Sequence, residues 1–338
     1  MERRTFIIAA VAGGIGLAEY TWVNGWMNTL RNPGGFSVKA YEKYGERAAA
    51  LAITPNEDFY VTSKGGTPLI KASEWKLKVD GLAEHPFTLN YQDLLALPRI
   101  EKELTLECIS NSIGGNAFGN ATWTGTPLKP LIERAKPARE AAHVAIYGAD
   151  GLSSGHPLAR IWNEENFLAY QMNGEDLPHA HGYPARIFIP GKYGMKQPKW
   201  MTRIEFLNKA HLGYWESQGW SDTCERWAHA RFTDLKSGAQ VSGKSFELTG
   251  YALSNLDGIE AVELSFDDGK NWQRANVYSN PSPLVWAFWK YIWVGPKPGR
   301  YTIHVRAIDG KNRVEGPDPD GIFPDGATGQ QAIKVTVG

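Results

Sequence analysis

The sequence predicts an α+β protein in which a mixed α/β part is followed by an immunoglobulin-like β-sandwich. Three observations carry that reading. A chain of 338 residues, at about 150 residues per domain, has length for two domains with separate cores. Up to about residue 208, strand, loop and helix patterns alternate without a clean βαβ repeat. From about residue 228 the helical pattern stops, and FELTGYA, IEAVELSFDDGKNW, LVWAFWKYIWV, GRYTIHVRAID and QAIKVTV follow as period-two runs between Gly, Pro, Asp and Asn turns. About seven short strands in such spacing suit a sandwich of the immunoglobulin type. The expected spans are 31–227 and 228–338, after a leading segment 1–30.

That segment, MERRTFIIAAVAGGIGLAEYTW, pairs Arg3 and Arg4 ahead of an apolar run ended by Glu19. The run is shorter than the about 20 residues a spanning helix needs, so it reads as an export signal of the twin-arginine type. A periplasmic location follows. An uncleaved anchor and a plain amphipathic helix stay open.

Residues 31–55 begin with a Pro-Gly-Gly break, offer a short helix and end at Pro55. WKLKVDG, 75–81, alternates and stops at a glycine, as a strand does. NYQDLLALP, 90–98, has Asn90 as N-cap and Pro98 as terminator, so a short helix is expected. In LTLECISNSIGGN, 104–116, Leu104, Leu106 and Cys108 alternate with Thr105 and Glu107. The first three should face the core, with a thiol where the strand runs out into a glycine-bearing loop. A core cysteine is the plain alternative. In ATWTGTPLKPLIERA, Gly125 is expected to turn the chain and Pro127 to open a helix carrying Leu128, Leu131 and Ile132. Asp268-Gly269 signals a hairpin.

Charge excludes more than it selects. Acidic and basic side chains number 36 each, so nothing global attracts nucleic acid or an anionic membrane. No GxGxxG or GxxxxGK[ST] follows a strand, which removes dinucleotide and P-loop sites. The two cysteines form no CxxC or CxxCH, so haem attachment, iron–sulfur ligation and a zinc finger are unsupported. A Cys108–Cys224 disulfide stays open in an exported chain. His179 and His181 form an HxH pair without a third ligand.

DFYV at 58–61, the Cys108 segment, HGYPARIFIPGKYGMKQPKW at 181–200 and HLGYWESQGWSD at 211–222 together resemble the sulfite oxidase family of molybdenum enzymes. The likeness runs from about residue 50 to the C-terminus and is most specific in PARIFIPGKYGMK. It implies a Mo-molybdopterin cofactor whose metal is ligated by Cys108, in keeping with the need for a soft anionic ligand. It implies further cofactor contacts from Asn56, Tyr60, Val61, His181, Arg186, Gly194, Lys196 and Lys199. A solvated basic loop packed on a buried RIFI strand is the alternative for those from His181 to Lys199. The resemblance also implies two-electron oxygen-atom transfer on a small molecule and a homodimer formed through the C-terminal domain. Without a haem or flavin motif of its own, the chain needs a separate redox partner, a cytochrome or a membrane haem or quinone protein.

The family's sulfite-oxidising members carry arginines just after the ligand cysteine and after the DFYV-like aromatic pair. Here those places read Ser110-Asn111-Ser112-Ile113 and Thr62-Ser63-Lys64. A pocket without arginine suits an uncharged substrate better than a dianion, unless Arg160 or Arg226 folds back into it. Sulfite dehydrogenase, a peptide methionine sulfoxide reductase and a non-catalytic binding protein on the same scaffold are the competing readings.

Overall fold

The structure, a computed structural model, describes residues 53–233 and 235–338. The leading signal or anchor, and the short helix expected ahead of Pro55, fall on residues 1–52, outside the described residues.

The elements run β1 (Lys76–Gly81), β2 (Phe87–Asn90), α1 (Tyr91–Leu95), β3 (Ile100–Glu107), β4 (Phe118–Pro127), α2 (Lys129–Ala135), β5 (His143–Gly148), β6 (Ser153–Pro157), α3 (Leu158–Ile161), β7 (Phe167–Met172), β8 (Glu175–Asp176), β9 (Arg186–Phe188), β10 (Met201–Leu207) and α4 (Tyr214–Ser217). They build two sheets. One has the order β2-β1-β10-β5-β6, with β1 and β10 parallel; the other has the order β3-β4-β7-β8, with β9 added on β7. Leu77, Val79, Ile146, Leu131 and Ile132 bury one face of the first sheet against α2. Asn90 caps α1 as expected, and its side chain and that of Asp93 each bond the other's backbone amide at 2.9 Å.

The remaining strands are β11 (His229–Phe232), β12 (Ala239–Val241), β13 (Ser245–Leu253), β14 (Ile259–Ser265), β15 (Gln273–Arg274), β16 (Asn276–Ser279), β17 (Ala287–Val294), β18 (Gly299–Asp309) and β19 (Gln331–Val337). A four-stranded sheet, β11-β13-β17-β16, faces a five-stranded one, β12-β19-β18-β14-β15. Leu248, Trp289, Val262, Ile303 and Val335 interleave between them as one core. Asp268 and Gly269 both take positive φ in the turn between β14 and β15, as the hairpin signal requires.

Three local expectations change. Gly125 does not turn the chain but lies inside β4, where the β4–β7 register shifts and a Cβ would meet Leu168 O at 2.0 Å. Pro127 closes that strand, and the proline in the first turn of α2 is Pro130. Thr105 and Glu107 do not face water. They are 1% and 4% exposed, because the sandwich covers that face of β3: Thr105 N donates to Leu284 O at 2.9 Å, and Trp286 N donates to Thr105 Oγ1 at 3.0 Å. Both faces of the half of β3 that delivers Cys108, residues 104–107, are therefore buried.

Candidate active site around Cys108

Cys108 follows β3 directly, and Asn111 ties the loop beyond it. The Asn111 amide donates to Glu107 Oε1 at 2.9 Å, and its oxygen accepts from Ala117 N at 2.9 Å. Glu107 in turn lies 3.6 Å from His229 Nε2 of the sandwich. The loop is thus fixed at both ends. Cys108 Sγ sits 3.0 Å from Ser110 Oγ, and Thr62 also bonds the sulfur. Burial pushes the thiol above its ordinary range despite those two bonds. Both cysteines are free, which closes the disulfide alternative.

Segment 181–200 supplies the surroundings, and it is no solvated loop. Arg186 enters on β9 with its guanidinium 4.6 Å from the Phe188 ring centre and 5.3 Å from that of Trp123. It donates to His181 O at 3.1 Å, while its Nε is buried without a partner. Burial lowers its pKa to about 10. Lys199 donates to Ala180 O at 2.7 Å; burial first, and the Arg186 charge second, hold it at about 7, and Cys108 is close enough to oppose them. Gly182 lets the two cations approach: at φ +116°, a Cβ there would lie 3.0 Å from Arg186 Cβ and 3.2 Å from Lys199 Cβ.

His181 is 3% exposed and held neutral, at about 4, by burial and by Arg186. Its Nε2 bonds Asn56 O at 3.2 Å, and Asn56 Oδ1 accepts from Asn173 at 2.8 Å. The HxH pair lies on a 3₁₀ turn, His179–His181, rather than on a strand. Among the described residues no group of three or more metal-ligating side chains gathers there or elsewhere. Tyr60 stacks on Phe59 and feels the charges of Cys108 and Arg186; burial foremost pushes its hydroxyl well above the usual range. A Cβ on Gly194 would come within 3.2 Å of that hydroxyl. Val61 is half-buried beside it.

The structure therefore brings Tyr60, Cys108, His181, Arg186, Gly194 and Lys199 together, with Asn56 behind His181. Lys196 bonds elsewhere: it pairs with Glu216 at 2.7 Å, both side chains 1% exposed. The Lys64 ammonium lies 4.4 Å from the Tyr214 ring centre. Sequence reasoning missed Ser110 and Thr62 as partners of the sulfur, and missed the Glu107–Asn111 brace. Position beside the cysteine was the available signal for Ser110, Glu107 and Asn111. A soft ligand near Lys199, with Arg186 beside Tyr60 and neither cation in an ion pair among the described residues, can hold a metal attached to an anionic organic group.

Comparisons with known proteins agree. The family model described as oxidoreductase molybdopterin binding domain matches residues 64–215. The uncharacterized oxidoreductase YuiH of Bacillus subtilis is 32% identical over 186 residues, 54% of this chain and 92% of that one. The mitochondrial sulfite oxidase of Drosophila melanogaster is 29% identical over 316 residues, 78% of this chain and 55% of that one. The chain spans only 32% of the NADPH nitrate reductase of Aspergillus niger, which it also matches. Among solved structures, the sulfane dehydrogenase SoxCD of Paracoccus pantotrophus shares the fold, with TM-score 0.75 and 22% identity over 84% of this chain and 81% of that one. Its two-part architecture and its matches place the chain in the sulfite oxidase family of molybdopterin-binding oxidoreductases, enzymes with a Mo-molybdopterin cofactor.

Proposed function

We propose that the chain catalyses two-electron oxygen-atom transfer on a small, uncharged substrate, with Cys108 as the molybdenum ligand. The residues present fit the cofactor. Arg186 has a buried nitrogen without a partner, and Lys199 bonds only a carbonyl, so an anionic, acceptor-rich group would complete both. Neutral His181 and the Asn56 backbone would line its edge, and the bare Gly194 leaves the space beside Tyr60. Lys196 would act through its neighbours, since Glu216 takes its charge. When bound, the cofactor supplies a metal that exchanges two electrons while the substrate gains or loses an oxygen atom. Lys199, held at about 7, is placed to take or release a proton at Nζ near neutral pH.

The observation that carries the neutral-substrate reading is the bonding at the positions where a substrate-binding cation would stand. Ser110 bonds the cysteine sulfur, Asn111 is spent on Glu107, and Lys64 rests on Tyr214. Arg160 and Arg226 are not among the groups that bond the thiol; their guanidinium groups meet the carbonyls of Pro190, Ser254 and Thr105. A small dianion would lack the bidentate cations its burial requires. A sulfoxide or N-oxide needs none. Steady-state assays of molybdenum-loaded enzyme, with sulfite and ferricyanide beside dimethyl sulfoxide and methionine sulfoxide with reduced viologen, test this. Turnover of the neutral substrates is expected. Efficient oxidation of micromolar sulfite would establish sulfite dehydrogenase instead, and no turnover of any would favour a binding protein.

Electrons would pass to or from a separate cytochrome or membrane haem or quinone protein, and the sandwich would form a homodimer. Export would depend on Arg3 and Arg4. Replacing both with lysine should retain the protein in the cytoplasm, and unchanged periplasmic delivery would refute the signal.

A further inference from the structure

A cleft of about 730 Å³ opens between the first part of the chain and the sandwich, within the about 300–1,000 Å³ usual for small-ligand pockets. Neither Cys108 nor Tyr60, Arg186 or Lys199 lines it. Its walls carry charges of both signs, and their bonding decides what the cleft can hold. The carboxylates are all engaged. Glu315 takes Arg231 at 2.7 Å and the amides of Ala230 and Ala307 at 3.0 Å each. Asp257 and Asp309 share Arg313, and Asp257 also takes Lys311 at 2.8 Å. Glu225 is bonded by Lys192.

Two of the cations have no direct ion pair among the described residues, and Glu225 and Glu107 act on them only from beyond ion-pair distance. Arg160 and Arg226 both line the cleft, and neither has a carboxylate within ion-pair distance among the described residues. Arg226, 3% exposed, donates Nε to Ser254 O at 2.6 Å and a terminal nitrogen to Thr105 O at 2.9 Å. Arg160 donates one terminal nitrogen to Pro190 O, while its buried Nε has no partner. One turn gathers them on a single wall, because the Arg226 amide bonds Gly191 O at 3.0 Å and a Cβ on Gly191 would lie 3.3 Å from the Arg160 guanidinium. Leu256, Trp227 and Val314 add apolar surface to the same cleft.

We propose that this cleft binds a small organic anion, its carboxylate or phosphate group seated on Arg160 and Arg226 and its carbon skeleton against Leu256 and Trp227. Carbonyl acceptors satisfy guanidinium hydrogens without forming an ion pair, the nearby carboxylates of Glu225 and Glu107 act only from a distance, and an oxyanion seated in the cleft supplies both acceptor and counter-charge. None of the residues gathered around Cys108 lines this cleft, although Arg226 feels the charge of Tyr60, and the site does not depend on the substrate assigned there.

Calorimetric titration of the holoenzyme with succinate and with inorganic phosphate tests the assignment, and the tighter probe identifies the anionic group. Saturable binding is expected, weakened at least about tenfold in Arg160→Gln by loss of a charge-assisted bond. Val314→Glu, at an exposed rim position, should weaken it as well by repulsion and guards against misfolding of the first variant. Binding of neither probe would overturn the proposal. So would affinities in Arg160→Gln and Val314→Glu equal to the wild type, or phosphate binding lost in Lys199→Ala and kept in Arg160→Gln.

Discussion

Buried charges are arranged in opposite ways in the two parts of this chain. In the sandwich, Arg231 and Glu315 lie 2.7 Å apart with side chains 4% and 2% exposed, and backbone amides fill the carboxylate's remaining capacity. Near Cys108, Arg186 is buried as deeply, yet it has one carbonyl, two aromatic faces and an unused nitrogen. A buried charge paired within the chain belongs to the fold. One left with carbonyls and rings belongs to a site that something else completes.

The sharpest way to break this contrast is to remove one member of each kind. Glu315→Ala leaves Arg231 buried without a counter-charge and should cost about 3–5 kcal/mol of unfolding free energy, read from denaturant midpoints. In the cofactor-free chain, Arg186→Met should cost nothing or stabilise, because an uncompensated cation gives way to an apolar side chain. Equal losses in the two variants would erase the distinction.

The next effect concerns retention of the cofactor. Arg186→Met and Lys199→Ala should each weaken it by about 1.5–3 kcal/mol, the range for hydrogen bonds to charged groups, measured as pterin released on dialysis. Wild-type retention in both would mean that the segment only supports the fold.

A smaller effect depends on pH. Burial holds His229 neutral, at about 4, despite the nearby Glu107. Its folded pKa lies below the unfolded value, so the unfolded chain gains protons first as pH falls. Stability is whole above about 6.5 and declines towards 4, by about 2 kcal/mol at pH 5 from this group. Unfolding midpoints at pH 7 and 5 should converge in His229→Gln relative to the wild type. An identical pH loss in that variant would assign the effect to other groups. Smallest of all, Lys71→Ala removes a pair whose side chains are 76% and 67% exposed, and no measurable change is expected.

Much of this was legible in the sequence because it depends on periodicity. The strand leading to Cys108, the Asn90 cap and the long sandwich strands follow from alternation and turn chemistry. The buried outer face of β3 was not legible, because Thr105 and Glu107 look like solvent-facing residues until the segment at Leu284 and Trp286 packs over them. Gly125 read as a turn for a similar reason: the neighbour that demands a bare Cα, Leu168, is brought there only by the tertiary pairing of β4 with β7. In the site, residue types were readable and bonding was not. Lys196 and Lys199 stand three apart in one basic run, yet the first is neutralised by Glu216 and the second is left beside Arg186.

The central claim is that the thiol at the end of β3 carries the metal. Elemental analysis of protein produced with molybdate measures this directly: the wild type should hold molybdenum in proportion to chain, and Cys108→Ala should fall to background while still folding cooperatively. Equal molybdenum in folded Cys108→Ala would contradict the account.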